Sequence, residues 1–241
     1  MQRLTSYLER TVLASLGGKT ATIFQSCLYG LAGGLGAVAF LHLTNLVFAS
    51  TFVPLSGRSL LAFAIGSFAV ITATSLAAGL LLQRFDPAAA GSGIPQLKAA
   101  FWKDLGCIRW RPTLVKFAAG ILCIGGGQSL GREGPTVYMS GGIASSIAAR
   151  LRIPRQRRRS AAAMGAAAGL SAAFNTPLAA ITFVLEEVVG DLNSRFLGSV
   201  LLSSVLGAFV VYSLVGRQPA FPMPAVEAVS WTAYLAVPVV A

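Results

Sequence analysis

Gly131-Arg132-Glu133-Gly134-Pro135 is the stretch of this chain that decides its fold. It closes residues 117–131, which contain no Asp, Glu, Lys or Arg, and it opens a segment rich in small residues. Proline is favoured at the start of a helix, so the pattern predicts a helix that begins here. A carboxylate beside a helix start in such apolar surroundings is costly, and we therefore expect it to have a function.

The composition identifies the apolar surroundings as a membrane. Of the 241 residues, 55% are hydrophobic and only 11% are charged, and the mean hydropathy is +0.71. The segments 20–50, 59–83 and 196–216 contain no charged residue, and each is long enough to cross a bilayer. We predict an all-α polytopic integral membrane protein embedded in the lipid bilayer.

The second part of the chain differs from the first in the length of its apolar segments. We predict long helices at 21–50 and 58–84, followed by shorter ones at 95–103, 112–130, 135–150, 157–174, 177–189 and 194–216. A 16-residue helix reaches about 24 Å, which is less than the roughly 30 Å of a hydrocarbon core. Several helices are therefore expected to end inside the membrane, where broken helices line transport sites.

Two further segments share the proline-terminated design, Gly91-Ser92-Gly93-Ile94-Pro95 and Phe174-Asn175-Thr176-Pro177. The unpaired N–H groups and the dipole of a helix N-terminus attract anions. Gly and Pro also simply kink membrane helices, so one motif alone does not decide between the two readings. Two or three such N-termini in one short chain favour an anion site.

The formal net charge of +11 reflects topology rather than a nucleic-acid partner. Six arginines crowd into residues 150–159, between two apolar segments, and further cations precede residue 20. The positive-inside rule assigns both regions to the cytoplasm. Residues 1–18 are accordingly predicted to form a cytoplasmic interfacial helix. The three cysteines and the one histidine have no metal-ligand spacing, so no metal or other cofactor is expected.

The three motifs occur in one order together with Glu186-Glu187, and the third extends over residues 165–179. This combination closely resembles the CLC family of chloride channels and chloride/proton antiporters. The resemblance implies a first inverted repeat of CLC type over residues 19–216, with broken and partly spanning helices. It assigns residues 217–241 to a linker and the start of a second repeat, so the chain is expected to be truncated.

The resemblance also implies an anion site. Ser92 corresponds to the serine whose hydroxyl donates to chloride, and Gly93, Ile94 and Gly134 would add backbone N–H groups. Glu133 corresponds to the gating glutamate. Ionised, this carboxylate occupies the place of the anion; protonated, it swings aside, which links chloride binding to protons. The alternative for Glu133 is a structural glutamate that pairs with Arg132 or caps its helix.

Glu187 lies where proton-coupled relatives keep an internal glutamate that takes up protons from the cytoplasm, whereas Glu186 is expected to face water. Lys116 is a lone cation in an apolar stretch. It would either raise the attraction of the pore for anions or reach an aqueous interface. Gln96 stands where many relatives have Glu, a difference expected to alter surface charge more than transport.

The expected function is chloride transport by chloride/proton antiport, in a bacterial inner membrane and as a homodimer. A passive voltage- or pH-gated chloride channel of the same fold is the alternative, and so is an inactive fragment, because the family completes its anion site with residues of the second half. An intramembrane enzyme with Glu133 and Glu187 as an acid/base pair is disfavoured. The sequence offers no nucleophile and base constellation for it.

Overall fold

The computed structural model describes residues 18–192 and 196–216, all of whose regular secondary structure is helical. The predicted interfacial helix, apart from Gly18, and the segment 217–241 lie outside this part. In chain order the helices are α1 (Gly18–Thr51), α2 (Val53–Ser56), α3 (Leu60–Phe85), α4 (Ile94–Trp102), α5 (Trp110–Gly125), α6 (Glu133–Arg150), α7 (Arg155–Phe174), α8 (Pro177–Phe183) and α9 (Leu197–Leu214). A 3-10 turn occupies Pro87–Ala89, and a π-helical turn, Val184–Val189, follows α8.

The predicted succession of long helices followed by short, broken ones is confirmed, with two differences at the motifs. Only α8 begins at its proline; α4 begins one residue before Pro95, and α6 begins at Glu133. The first N–H groups of any helix lack an intrahelical partner, so a proline fits anywhere in this turn. The helix predicted over 177–189 is α-helical only to Phe183 and then widens into the π turn.

Three helical segments of the described part are long and apolar enough to cross a membrane: Thr20–Ser56, Leu60–Phe85 and Leu197–Leu214. The helices between the second and third of these are shorter or more polar. α5, for example, has 16 residues and a length of about 24 Å. The chain therefore combines full spans with helices that end at depth.

The core is built around α7. Every residue from Ala161 to Ala173 is buried, and the helix packs against α1, α6 and α9. Small residues allow this close approach: a Cβ on Gly33 would lie 2.9 Å from the carbonyl oxygen of Gly165. The Ser140 hydroxyl adds a 3.0 Å hydrogen bond to the carbonyl of Gly33. The small residues of 161–173 thus let several helices pack closely on α7 at once.

α3 is the opposite case, because Ala78 is its only buried residue. Leu60, Leu61 and Phe68 are 85%, 72% and 74% exposed, as suits a helix that faces lipid. α3 packs mainly on α5. One cavity lies between this pair and the starts of α4 and α6.

One end of the helix bundle, here called the arginine-rich end, carries residues 150–159. α6 ends there at Arg150 and α7 begins there at Arg155. The start of α1 lies at the same end, since Ala21 and Gln25 line a cavity together with Arg157. Glu133, at the other end of α6, is about 26 Å away along that helix.

Candidate anion site

The N-termini of α4 and α6, which begin in the first two motifs, meet. A Cβ on Gly134 would overlap the carbonyl oxygen of Ser92, and a Cβ on Gly93 would lie 2.6 Å from the carbonyl oxygen of Gly134. Gly93 also has a φ of +107°, in the region that favours glycine. Only glycines allow these two backbones to touch, which explains the Gly-Ser-Gly and Glu-Gly-Pro sequences at the junction.

The loop before α4 is held by the side chain of Gln96. The amide N–H of Gly93 donates to Gln96 Oε1 at 3.0 Å, and Gln96 Nε2 donates to the carbonyl oxygen of Ala90 at 2.6 Å. A glutamine at the third helical position is the usual partner in such a cap. Gln96 therefore fixes the backbone on both sides of Ser92. The charge at this position, on which the sequence-based expectation rested, does not predict this role.

A cavity of about 430 Å³ opens beside this junction. Ser92, Lys116, Gly131 and Pro135 line it, and its remaining walls are mostly apolar. The Ser92 residue is exposed, as a hydroxyl that donates to a ligand requires. The cavity thus brings together residues from both motifs and from α5.

Lys116 is only 3% exposed, so the alternative in which it reaches an aqueous interface is wrong. Its Nζ donates to the carbonyl oxygen of Gly91 at 2.7 Å and lies 5.3 Å from the ring centroid of Tyr138. A buried ammonium beside the Ser92 loop makes the local field positive. It also fixes the residue that precedes the serine.

Glu133 is exposed in the first turn of α6. Its carboxylate makes neither a hydrogen bond nor a salt bridge with residues 18–192 or 196–216. The guanidinium of Arg132 instead lies over the ring of Phe174, 5.0 Å from its centroid. Neither form of the structural alternative is therefore present among the described residues: Glu133 makes no salt bridge with Arg132, and its side chain does not cap α6.

The third motif gives a helix start that lies elsewhere. Asn175 ends α7 with a φ of 54°, and α8 begins at Pro177. α8 packs on α7, α9 and the π turn, and the Ser204 hydroxyl donates to the carbonyl of Pro177 at 2.8 Å. Of the three helix N-termini that the motifs predict, the contacts among the described residues thus bring two together at Ser92, those of α4 and α6.

Glu187 lies on the π turn, away from the cavity, and pairs with Lys98 of α4. Lys98 Nζ and Glu187 Oε1 are 3.1 Å apart, and the two side chains are 46% and 48% exposed. Nearby, Trp102 Nε1 donates to the carbonyl of Val188 at 3.1 Å, and Arg159 donates to the carbonyl of Trp102 at 3.0 Å. Glu187 therefore lies at the arginine-rich end, attached to the same helix that begins after Ser92.

Comparison with known proteins identifies the family. The model of the voltage gated chloride channel family matches residues 74–241. The chain belongs to this family, the CLC proteins.

Relatives of this CLC chain include the H(+)/Cl(-) exchange transporter ClcA of Vibrio cholerae, 34% identical over 213 residues, or 86% of this chain and 46% of the relative. ClcA of Klebsiella pneumoniae is 39% identical over 82% of this chain and 42% of its own length. A slow cyanobacterial Cl⁻/H⁺ antiporter of known structure has a TM-score of 0.75 at 25% identity, covering 92% of this chain and 52% of that one. A eukaryotic CLC transporter has a TM-score of 0.71 at 21% identity, covering 97% and 41%, and supports the fold. The chain therefore spans about half the length of the relatives it matches.

Three contacts in and near the candidate site have no counterpart among the sequence-based predictions: those of Gln96, of Lys116 with Gly91, and of Lys98 with Glu187. The cap by Gln96 has a local signal, because a glutamine three residues after a helix start is a known capping pattern. The other two join residues that are 25 and 89 positions apart. No local pattern predicts contacts at that separation.

Proposed function

We propose that this chain is the part of a chloride/proton antiporter that carries its gate. The observation that carries the proposal is the junction of α4 and α6, where Ser92 and Glu133 adjoin two helix N-termini. An anion placed there would receive the Ser92 hydroxyl, backbone N–H groups at Ile94 and Gly134, and the positive ends of two helix dipoles. Gly93 would contribute through its conformation, since its own N–H already serves Gln96.

The gate in this proposal is the carboxylate of Glu133. It begins α6 and has no hydrogen bond or salt bridge to the described residues, so it is free to turn towards the anion position or away from it. Ionised, it competes with chloride for the same helix ends. Protonated, it loses that attraction, and chloride takes its place. One side chain thereby links the movement of the anion to that of the proton.

Glu187 is proposed as the internal proton acceptor. Its carboxylate is about half exposed, so water reaches it, and it lies at the arginine-rich end. The positive-inside rule makes this the cytoplasmic end and puts the N-terminus on the same side. Protons would then enter from the cytoplasm at Glu187 and reach Glu133 through the interior.

The full protein is further proposed to act in a bacterial inner membrane as a homodimer. The bacterial exchange transporters among its relatives support the location. The resemblance to the family supports the dimer, with one pathway in each subunit. Counting photobleaching steps of singly labelled protein in liposomes tests this: two steps are expected, and single steps alone would contradict it.

The test of transport uses the protein expressed from its complete gene in liposomes. Chloride efflux and proton uptake are recorded together, with an outward chloride gradient and no proton gradient at the start. Antiport predicts that chloride leaving the vesicles drives protons in, against their developing gradient. Chloride flux that drives no proton movement would contradict antiport and leave the passive channel, whereas the absence of any chloride flux would contradict both.

A further inference from the structure

A second cavity, of about 570 Å³, lies at the arginine-rich end, between the start of α5 and the end of α6. Three arginines line it, Arg109 and Arg111 from the start of α5 and Arg150 from the end of α6. No acidic residue is among its lining residues. The size is within the range of small-molecule sites, about 300–1,000 Å³.

The three arginines are not occupied by the protein itself. None of their guanidinium groups makes a hydrogen bond or a salt bridge within residues 18–192 and 196–216. A neighbouring cavity of about 470 Å³ shows the usual alternative, because Asp104 accompanies its cations, Lys103, Arg109 and Arg155. Arg109 lines both cavities and so also faces the one with Asp104, whereas Arg111 and Arg150 line only the cavity without an acidic residue.

Membrane topology alone does not explain this arrangement. The positive-inside rule requires cations near the ends of membrane segments, and any positions in the loops satisfy it. It does not require three arginines from two helices to line one cavity. Like charges repel each other, so three arginines around one cavity that lacks an acidic residue are best explained by an anion that binds there.

The chemistry of the cavity fits a phosphate group. Guanidinium groups bind phosphate oxygens through paired hydrogen bonds, and the cavity also includes the N-terminus of α5, whose dipole favours an anion. Trp110 begins α5 and is 60% exposed, with the guanidinium of Arg111 5.8 Å from its ring centroid. Exposed tryptophans of this kind are typical of the headgroup level of a bilayer.

We infer that this cavity, lined by Arg109, Arg111 and Arg150, binds the phosphate headgroup of an anionic phospholipid. Ile108 and Ala149 supply apolar wall beside the arginines, which suits the glycerol and acyl part of a lipid better than a free ion. The inference does not depend on the transport mechanism, since none of these residues belongs to the anion site.

The test uses the complete protein purified in a neutral detergent and titrated with phosphatidylglycerol. The readouts are the shift in thermal unfolding temperature and the lipid retained in native mass spectra. Phosphatidylcholine and inorganic phosphate are titrated in parallel. The variant is Arg111→Gln/Arg150→Gln. The control, Arg155→Gln/Arg157→Gln, removes the same charge from exposed positions in the first turn of α7, outside this cavity.

We expect phosphatidylglycerol to raise the unfolding temperature and to be retained, while phosphatidylcholine and phosphate have little effect. The Arg111/Arg150 variant should need about a hundredfold more phosphatidylglycerol for the same shift, since the loss of each charge-assisted hydrogen bond to the phosphate costs about a factor of ten. The control should change it by less than about threefold. Since the lipid-induced shift is compared within each variant, a lower stability without lipid does not obscure the result.

Two results would overturn the inference. Equal losses in the variant and in the control would mean that only the general positive field attracts lipid. An equal response to inorganic phosphate would mean that the cavity takes a soluble anion. Should the double variant fail to fold, Arg150→Lys keeps the charge but loses the paired hydrogen bonds. It must then weaken retention of phosphatidylglycerol, and unchanged retention would contradict the site.

Discussion

The two glutamates of the proposed proton path differ in how they are held. Glu133 begins α6 and has no hydrogen bond or salt bridge to the described residues, whereas Glu187 pairs with Lys98 at 3.1 Å. The backbones differ as well, since Glu133 lies on a regular α-helix and Glu187 on a π turn, which is common at functional sites. A side chain that must leave and re-enter a site needs freedom, and one that receives protons from water needs a fixed, accessible place.

The largest effect is expected from Glu133→Gln. A neutral amide does not compete with chloride as an anion and does not carry a proton, so chloride flux should lose its pH dependence and proton uptake should stop. Parallel recordings of chloride efflux and proton uptake from liposomes measure both. Glu133→Asp is the control, since it keeps the charge on a shorter side chain and should retain a measurable pH dependence. A Gln variant that still couples chloride to protons would contradict the role of Glu133.

Glu187→Gln should affect protons alone. Glu187 lies outside the cavity at Ser92, so chloride flux is expected to persist within about threefold while proton uptake driven by chloride falls by about tenfold or more, because removing one proton-transfer group typically costs 10²–10⁴ in rate. Glu186→Gln is a matched control one residue earlier on the same turn and should leave both fluxes unchanged. Equal losses in the two variants would show that the turn itself, and not the acid at 187, is required.

Gly134→Ala tests the junction on which Glu133 depends. The added methyl would overlap the carbonyl oxygen of Ser92, and the two backbones must separate. Overpacking of this kind costs about 1–3 kcal/mol, which thermal unfolding would detect, and chloride flux should fall as well. Gly131→Ala is the control within the same motif, since its Cβ would meet nothing within 4 Å. Similar stability losses in the two variants would contradict the close contact.

The sequence predicted the helices well because their signals are local. Charge-free segments and proline-terminated starts located α1, α3 and the break before α6 to within a few residues. It did not predict the π turn after Phe183, since a wider helical turn depends on the helices that pack around it. It also could not name the partners of residues 161–173, because Ala and Gly permit close packing on every side.

The site shows the same division. The motifs predicted Ser92, Gly93 and Gly134 as anion-binding residues, and that role stays a prediction, while their contact follows from glycines that let two backbones approach. The contacts of Lys116 and Lys98 could not be predicted from local sequence patterns, because each lysine bonds to a residue that only the fold brings near. Their charges are visible in the sequence, but the acceptor of each is not.

The smallest effect is expected from the Lys98–Glu187 pair itself. Both side chains are nearly half exposed, so water screens their attraction, and exposed pairs contribute about 0–1 kcal/mol. A double-mutant cycle of Lys98→Met and Glu187→Gln, measured by thermal or denaturant unfolding, should therefore give a coupling energy below about 1 kcal/mol. The same cycle with Lys103→Met, an exposed lysine at the end of α4, should give a value near zero.

A coupling energy above about 2 kcal/mol would mean that the Lys98–Glu187 pair stabilises the fold. The difference between Glu187 and Glu133 would then reflect stability rather than the access of protons. With a small coupling energy, the role left to Lys98 is to hold the Glu187 carboxylate in position, and transport measurements would detect that role. In that case Lys98→Met should lower proton uptake per chloride at nearly constant stability, because the free carboxylate spends less time in one place. Lys98→Arg should restore that uptake, since it keeps a cation within reach of Glu187.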